Sequence, residues 1–398
     1  MNRNVILLCV ILVCGVALQF SDPDYGAFKR DYFEAHLLGM EHLGQIEVFF
    51  DQLTTIPNSA SGVIPLTIMG LLDDYAQRYI MNIVVLLATL IVLFKKSRTE
   101  NFLLFLTFIT LSPTFMSSLK WLLPEVMSIC FILLLFSLNN KYNIIKYLMS
   151  MFVPLFRQTF IVFLALQVLL EVGKKIKDRF NEKPNEIFAL KFELSEYREP
   201  LIQLAFGAIG LGFLYYFWGG LVPPRLAAVH NTFSVKASLN AFLIFGLYFG
   251  LFCVRSFFTH SSQYSGPKLT FCVLGASLFC LAFFNSEALE GGGYVFSRFE
   301  LMAPILFYVF LFIYVSILLY FLPIPILITL IYFSFSFITT NHMYIKYVDQ
   351  YMILLFGYFI VSPQVTVRVF PNATITWMMY SFVAFQSTSL VLAHNYYG

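Results

Sequence analysis

Polar and apolar positions do not alternate along this chain; they fall into blocks. Apolar runs at 4–20, 78–94, 101–118, 122–138, 147–171, 200–218, 236–254, 269–285, 299–321, 324–340, 348–362 and 373–392 are separated by polar connections, most of them short. Runs of about 17–25 residues match the helix length that crosses a bilayer. The pattern therefore predicts an all-α polytopic membrane protein of about 11–13 transmembrane helices. The first run follows Arg3 and ends in "QFSDPDY" without a small-x-small cleavage site, so it is expected to be a retained helix rather than a signal peptide.

Connections rich in Lys and Arg stay cytoplasmic. That rule puts "KKSR" (95–98), "NNKYNIIK" (139–146) and "KKIKDRF" (174–180) on one face, and the long polar loop 21–61 on the other. One stretch resists a simple crossing. Residues 147–171 read as one apolar helix, yet basic clusters flank them on both sides, and a single crossing would strand one cluster on the wrong face. Two short half-helices meeting at "VPLFRQ" (153–158) resolve this, with Pro154 breaking the first. Arg157 then stands at the tip of a re-entrant pair, facing water or a cavity.

Composition agrees. The chain is 59% hydrophobic and 12% charged, with 47 Phe among 398 residues and a mean hydropathy of +0.78. Soluble globular domains carry about 25% charged residues. No polar interval is long enough to bury a core of its own, so residues 1–398 read as one membrane domain, with 21–61 as its main non-cytoplasmic loop and 174–199 as its cytoplasmic one. The six cysteines lie inside apolar runs without metal-ligand spacing and read as packing residues. No GxxxxGK[ST] motif occurs and the cytoplasmic loop is too small for a nucleotide-sugar fold, so neither a nucleotide nor a nucleic acid is expected as a partner.

The charged residues of the non-cytoplasmic face carry the candidate chemistry. Four segments meet there: the loop 21–61, the turn at Arg157, "WGGLVPPRLAAVHNT" (218–232) and "NSEALEGGGYVFSRFE" (285–300). A carboxylate at a membrane cavity can act as general base on a hydroxyl. Arginines beside it can hold a phosphate bidentately and stabilise its charge as it leaves. Asp24, Asp31 and Glu34 are the candidate bases. His36, Asp51, Arg157, Gln158, Arg225, His230, Glu290, Tyr294 and Arg298 are the candidate substrate-binding residues. "DPD" (22–24) has the spacing of a metal-binding DxD and also of an ordinary turn, so no metal is assigned and a divalent cation at Asp22 and Asp24 stays open. Asp73 and Asp74 precede an apolar run and fit the start of its helix.

The order "DYFEAHLLGMEHLGQIEVFFDQLTTIPNSASGVI" (31–64), "FRQTFIV" (156–162) and "WGGLVPPRLAAVH" (218–230) resembles the lumenal motifs of the dolichyl-phosphate-glucose dependent alpha-1,2-glucosyltransferases. The resemblance implies a GT-C fold with a large first non-cytoplasmic loop carrying the catalytic acid, and paired short helices beside it. Asp51 with Thr54, Thr55 and Pro57, the "RQT" at 157–159, Gly219–Gly220 and His230 fit that pattern. The family's adjacent acidic pair is absent, since Tyr32 follows Asp31, and its Asn-Arg-His-Tyr stretch is replaced by "GGGYVFSR". What the resemblance implies is transfer of a glucose-like hexose from a polyprenyl or dolichyl phosphate donor to a hydroxyl of a glycan or glycolipid, within membrane lipids of a bacterial inner membrane or an endoplasmic reticulum. A glycan polymerase or ligase, and a non-enzymatic lipid-linked glycan transporter or flippase, are the competing expectations. The latter should show a repeat of halves and polar groups at the bilayer midplane.

Overall fold

The structure, a computed structural model, describes residues 13, 37–45, 47, 62–182, 197–220, 233–260, 266–286, 291–292, 294–338, 342–343, 345–362, 369–370 and 372–397. Apart from one two-residue parallel pairing, its regular elements are helices. In order they are α1 (Leu37–Leu43), α2 (Val63–Gly70), α3 (Tyr75–Lys96), α4 (Thr99–Leu111), α5 (Pro113–Lys120), α6 (Glu125–Ser137) and α7 (Asn143–Phe156). A 3-10 segment (Gln158–Ala165), α8 (Leu166–Glu182), α9 (Arg198–Trp218), α10 (Val235–Leu247), α11 (Gly250–His260) and α12 (Gly266–Phe284) follow. The chain continues with β1 (Gly291–Gly292), α13 (Tyr294–Met302), α14 (Pro304–Phe321), α15 (Ile324–Phe335), β2 (His342–Met343), α16 (Ile345–Val361) and α17 (Asn372–Tyr397).

Three of these, α3, α9 and α14, are long and apolar enough to cross a membrane, and two bent pairs raise the number to five among the described residues. This is consistent with a helical membrane protein. The 22 residues of α3 rise about 33 Å, close to the thickness of a hydrocarbon core. Asp74 opens α3 as the sequence suggests, its Oδ1 accepting the Gln77 N–H at 2.8 Å. α9 stops at Gly219, whose left-handed φ of 66° suits glycine. Several other apolar runs give helices too short to cross alone, among them α6, α7, α15 and α16. The expectation of 11–13 crossings is thus met by full-length or bent helices only in part. The run 4–20 lies outside the described residues except for Val13.

The bends have local causes. α4 and α5 meet at 69° where Pro113 removes a backbone donor and Ser112 caps the new helix, its Oγ accepting the Phe115 N–H at 3.0 Å. α10 and α11 meet at 61° around Tyr248 and Phe249. Both bends reach the same group. Asp349 of α16, 1% exposed, accepts hydrogen bonds from the Ser112 hydroxyl, from the Tyr248 hydroxyl at 2.8 Å and from the Gln386 amide of α17. A buried carboxylate is tolerable when donors of this kind replace its water.

The run 147–171 folds as a hairpin rather than one straight helix. α7 and the 3-10 segment lie side by side against α9, since a methyl group placed on Gly207 would meet Leu164 on one limb and the Ser150 carbonyl on the other. Pro154 does not end the first limb; it sits inside the last turn of α7, where its missing N–H costs one bond. The chain reverses at Arg157, which is extended (φ −162°, ψ 118°) while its N–H still closes on the Val153 carbonyl at 3.0 Å. At Gly210 the hairpin backbone touches α9 so closely that a Cβ would lie 1.9 Å from the Met151 oxygen, the small-residue contact that membrane helices use.

Polar partners tie the helix ends together. Glu100 accepts from Tyr380 at 3.0 Å, Arg255 lies over the Trp377 ring at 4.0 Å, and Lys96 meets Asn139 at 3.3 Å, all at the end of the three basic clusters. Lys236 pairs with Glu300 at 2.9 Å and β1 pairs with β2 at the other end.

Candidate functional site

The end away from the basic clusters is built on a small second core. Met40 and Leu43 of α1, Met69 of α2, Met127 of α6, Phe156 at the hairpin tip and Trp218 at the end of α9 are packed together. α1 and α2 touch through glycine, since a Cβ on Gly70 would lie 2.0 Å from the Met40 oxygen. Gly62, with φ 125°, lets the chain return from the first loop directly against Pro124. The structure therefore brings together the return of the first loop, the hairpin tip and the start of the "WGG" segment, three of the four segments that the sequence gathers on one face.

The turn between α5 and α6 presents the acid of this site. Leu122 adopts φ 53°, a conformation L-residues avoid, and it is fully buried in the second core, whose packing offsets the strain. Pro124 follows and Glu125 opens α6. Ser128, one turn on, donates to the Phe156 carbonyl at 2.9 Å and so fastens α6 to the hairpin tip. The Phe131 and Phe156 rings stack beneath it at 3.9 Å.

Arg157 lies in this frame, 8% exposed rather than open to a cavity as the sequence suggests. Its Nη1 donates to Glu125 Oε1 at 2.7 Å, and its guanidinium lies 5.6 Å from the Phe160 ring centre. Burial explains the pairing: a guanidinium taken out of water needs a counter-charge and donor contacts. Among the described residues its Nε and Nη2 meet no acceptor, and the Gln158 Oε1 beside it is buried without a hydrogen-bond partner. Arg78, by contrast, is spent on structure, donating from Nε and Nη2 to the Leu72 carbonyl at 3.2 and 3.1 Å.

A second polar cluster closes the same end. Lys236, 5% exposed, pairs with Glu300 and lies 4.7 Å from the Phe283 ring centre, while Glu300 also accepts from Tyr308 at 2.8 Å. This fixes α13, the helix whose backbone carries Tyr294 and Arg298. Tyr351 donates to the Thr159 carbonyl at 3.3 Å, meets the Ser336 hydroxyl at 2.9 Å, and lies edge-on to the Phe160 ring and tilted against that of Phe337.

Of the candidate residues, Arg157 and Gln158 stand at the hairpin tip. Asp24, Asp31, Glu34, His36, Asp51, Arg225, His230 and Glu290, with Asp22 of the open cation site, lie outside the described residues. No group of three or more His, Cys, Asp or Glu suited to a metal occurs among the described residues. Two acids escaped the sequence reading, Glu125 and Asp349. The signal was available, since each stands alone at or near the start of an apolar run, where an ionisable group is a candidate by default. Compared with protein-family models, curated proteins and solved structures, the chain matches none.

Proposed function

We propose that this chain is a GT-C type glycosyltransferase that moves a hexose from a polyprenyl phosphate to a hydroxyl acceptor at the end of the bundle that holds Arg157. The observation that supports this most is the anchored guanidinium. Glu125 holds Nη1, so the remaining edge of the fork has a fixed direction beside the returning first loop. A fixed fork suits a phosphate that gains charge as its bond to the sugar breaks.

In this reading a carboxylate of the first loop, Asp24, Asp31 or Glu34, takes the proton of the acceptor hydroxyl. The new bond forms at the anomeric carbon and the bond to the carrier phosphate breaks. Arg157 steadies the departing phosphate, with Gln158 orienting it. Glu125 is a positioning residue.

Membranes holding the full chain should transfer labelled hexose from a polyprenyl-phosphate hexose and ignore nucleotide sugars. Arg157→Lys should reduce turnover about tenfold or more at unchanged protein abundance, because an ammonium cannot reproduce a fixed bidentate fork. Transfer from a nucleotide sugar in membranes unable to make the lipid donor, or near-normal turnover of Arg157→Lys, would overturn the proposal.

A further inference from the structure

Glu125 opens α6 and Ser137 closes it, and at that closing end lies a cavity of about 650 Å³. It is walled by Lys96 at the end of α3, Lys146 of α7, Gln203 of α9 and Tyr358 of α16, with Phe163 and Leu164 of the hairpin's return limb. Lys96 and Lys146 both line it, and among the described residues no Asp or Glu does. Lys96 donates to the Ser137 carbonyl and to Asn139 Oδ1 at 3.3 Å, which holds its ammonium at the wall and keeps one N–H in hand. Glu199, a described acid whose field reaches Lys146, accepts from the Tyr147 hydroxyl and is not part of the wall. Tyr358, 3% exposed, lines it together with Ser362 one turn on.

A positive wall with amide and hydroxyl donors calls for an anion. The aromatic and aliphatic side chains in the same wall call for an apolar tail attached to it. The cavity also sits where α3 ends in Lys95 and Lys96, the level at which lysines reach the headgroups. Basic pockets between membrane helices take lipid phosphates on these terms. We propose that this cavity holds the phosphate headgroup of an anionic lipid, with the lipid's chains against Phe163 and Leu164. The site is separate from the one at Arg157 and does not depend on glycosyl transfer.

The test is native mass spectrometry of the full chain released from non-ionic micelles, titrated with phosphatidylglycerol, phosphatidylcholine or inorganic phosphate. The wild-type chain should retain phosphatidylglycerol about tenfold or more tightly than phosphatidylcholine. Lys96→Gln with Lys146→Gln should abolish that preference, and Lys96→Arg with Lys146→Arg should keep it. Equal retention of the two lipids by the wild-type chain overturns the proposal, as does a preference that survives in the folded double glutamine variant. Inorganic phosphate competing as well as phosphatidylglycerol would make this a free-anion site and overturn the lipid assignment. If the double glutamine variant does not fold, the wild-type comparison and the arginine variant decide.

Discussion

Arg157 and Glu125 make each other's burial possible, so their substitutions should not behave as independent losses. Removing one partner leaves an uncompensated charge, and Arg157→Ala or Glu125→Ala should each destabilise the protein by about 3–5 kcal/mol. Replacing both with apolar residues of similar volume, Arg157→Met with Glu125→Leu, should return the apparent melting temperature toward wild type, while the proposed hexose transfer should stay lost. Thermal unfolding in detergent beside turnover checks this, and a double variant as unstable as the singles would refute it. Asp349→Ala should be comparably damaging, because it strands the donors of Ser112, Tyr248 and Gln386 in an apolar interior, each worth about 1.5–3 kcal/mol against a charged acceptor. The yield of monodisperse protein measures it. Arg157 was legible in the sequence because a charge in an apolar run stands out. Its partner was not, since Glu125 is 32 positions away and nothing in a hydropathy pattern pairs the two. Asp349 and Ser112, 237 positions apart, are beyond it for the same reason.

At the scale of elements, the hairpin could be foreseen from the conflict between an apolar run and the basic clusters around it. The bend of α4 into α5 could not be foreseen from hydropathy, because "LSPT" at 111–114 interrupts the helix without interrupting the apolar run. A serine cap followed by proline at the first helical position was the overlooked signal. How tightly the hairpin seats on α9 is also invisible to a pattern that treats glycines alike. Gly210 meets the Met151 backbone, whereas a Cβ on Gly212 of the same helix would meet nothing within 4 Å. Gly210→Ala should therefore push the hairpin off α9 and lower the melting temperature. Gly212→Ala should hold or raise stability by about 0.5–1 kcal/mol, the ordinary helix gain. Equal effects of the two substitutions would show that the backbone contact at Gly210 does not exist.

For the whole molecule, the apolar runs and basic clusters assign the loops to two faces, an expectation that labelling tests. Single cysteines replacing Arg225 and Lys96 should react with a membrane-impermeant reagent from opposite sides of a sealed vesicle, and labelling of both from one side would overturn the threading. Asp349 adds a consequence of another kind. It accepts from one bend at Ser112 and from the other at Tyr248, so neither helix pair can straighten without taking a donor away from the carboxylate they share. Ser112→Ala and Tyr248→Phe should accordingly be non-additive, with an interaction energy of about 0.5–3 kcal/mol in a double-mutant cycle. Two spans 137 positions apart along the chain, counted from Leu111 to Tyr248, are in mechanical terms one hinge with a single pin.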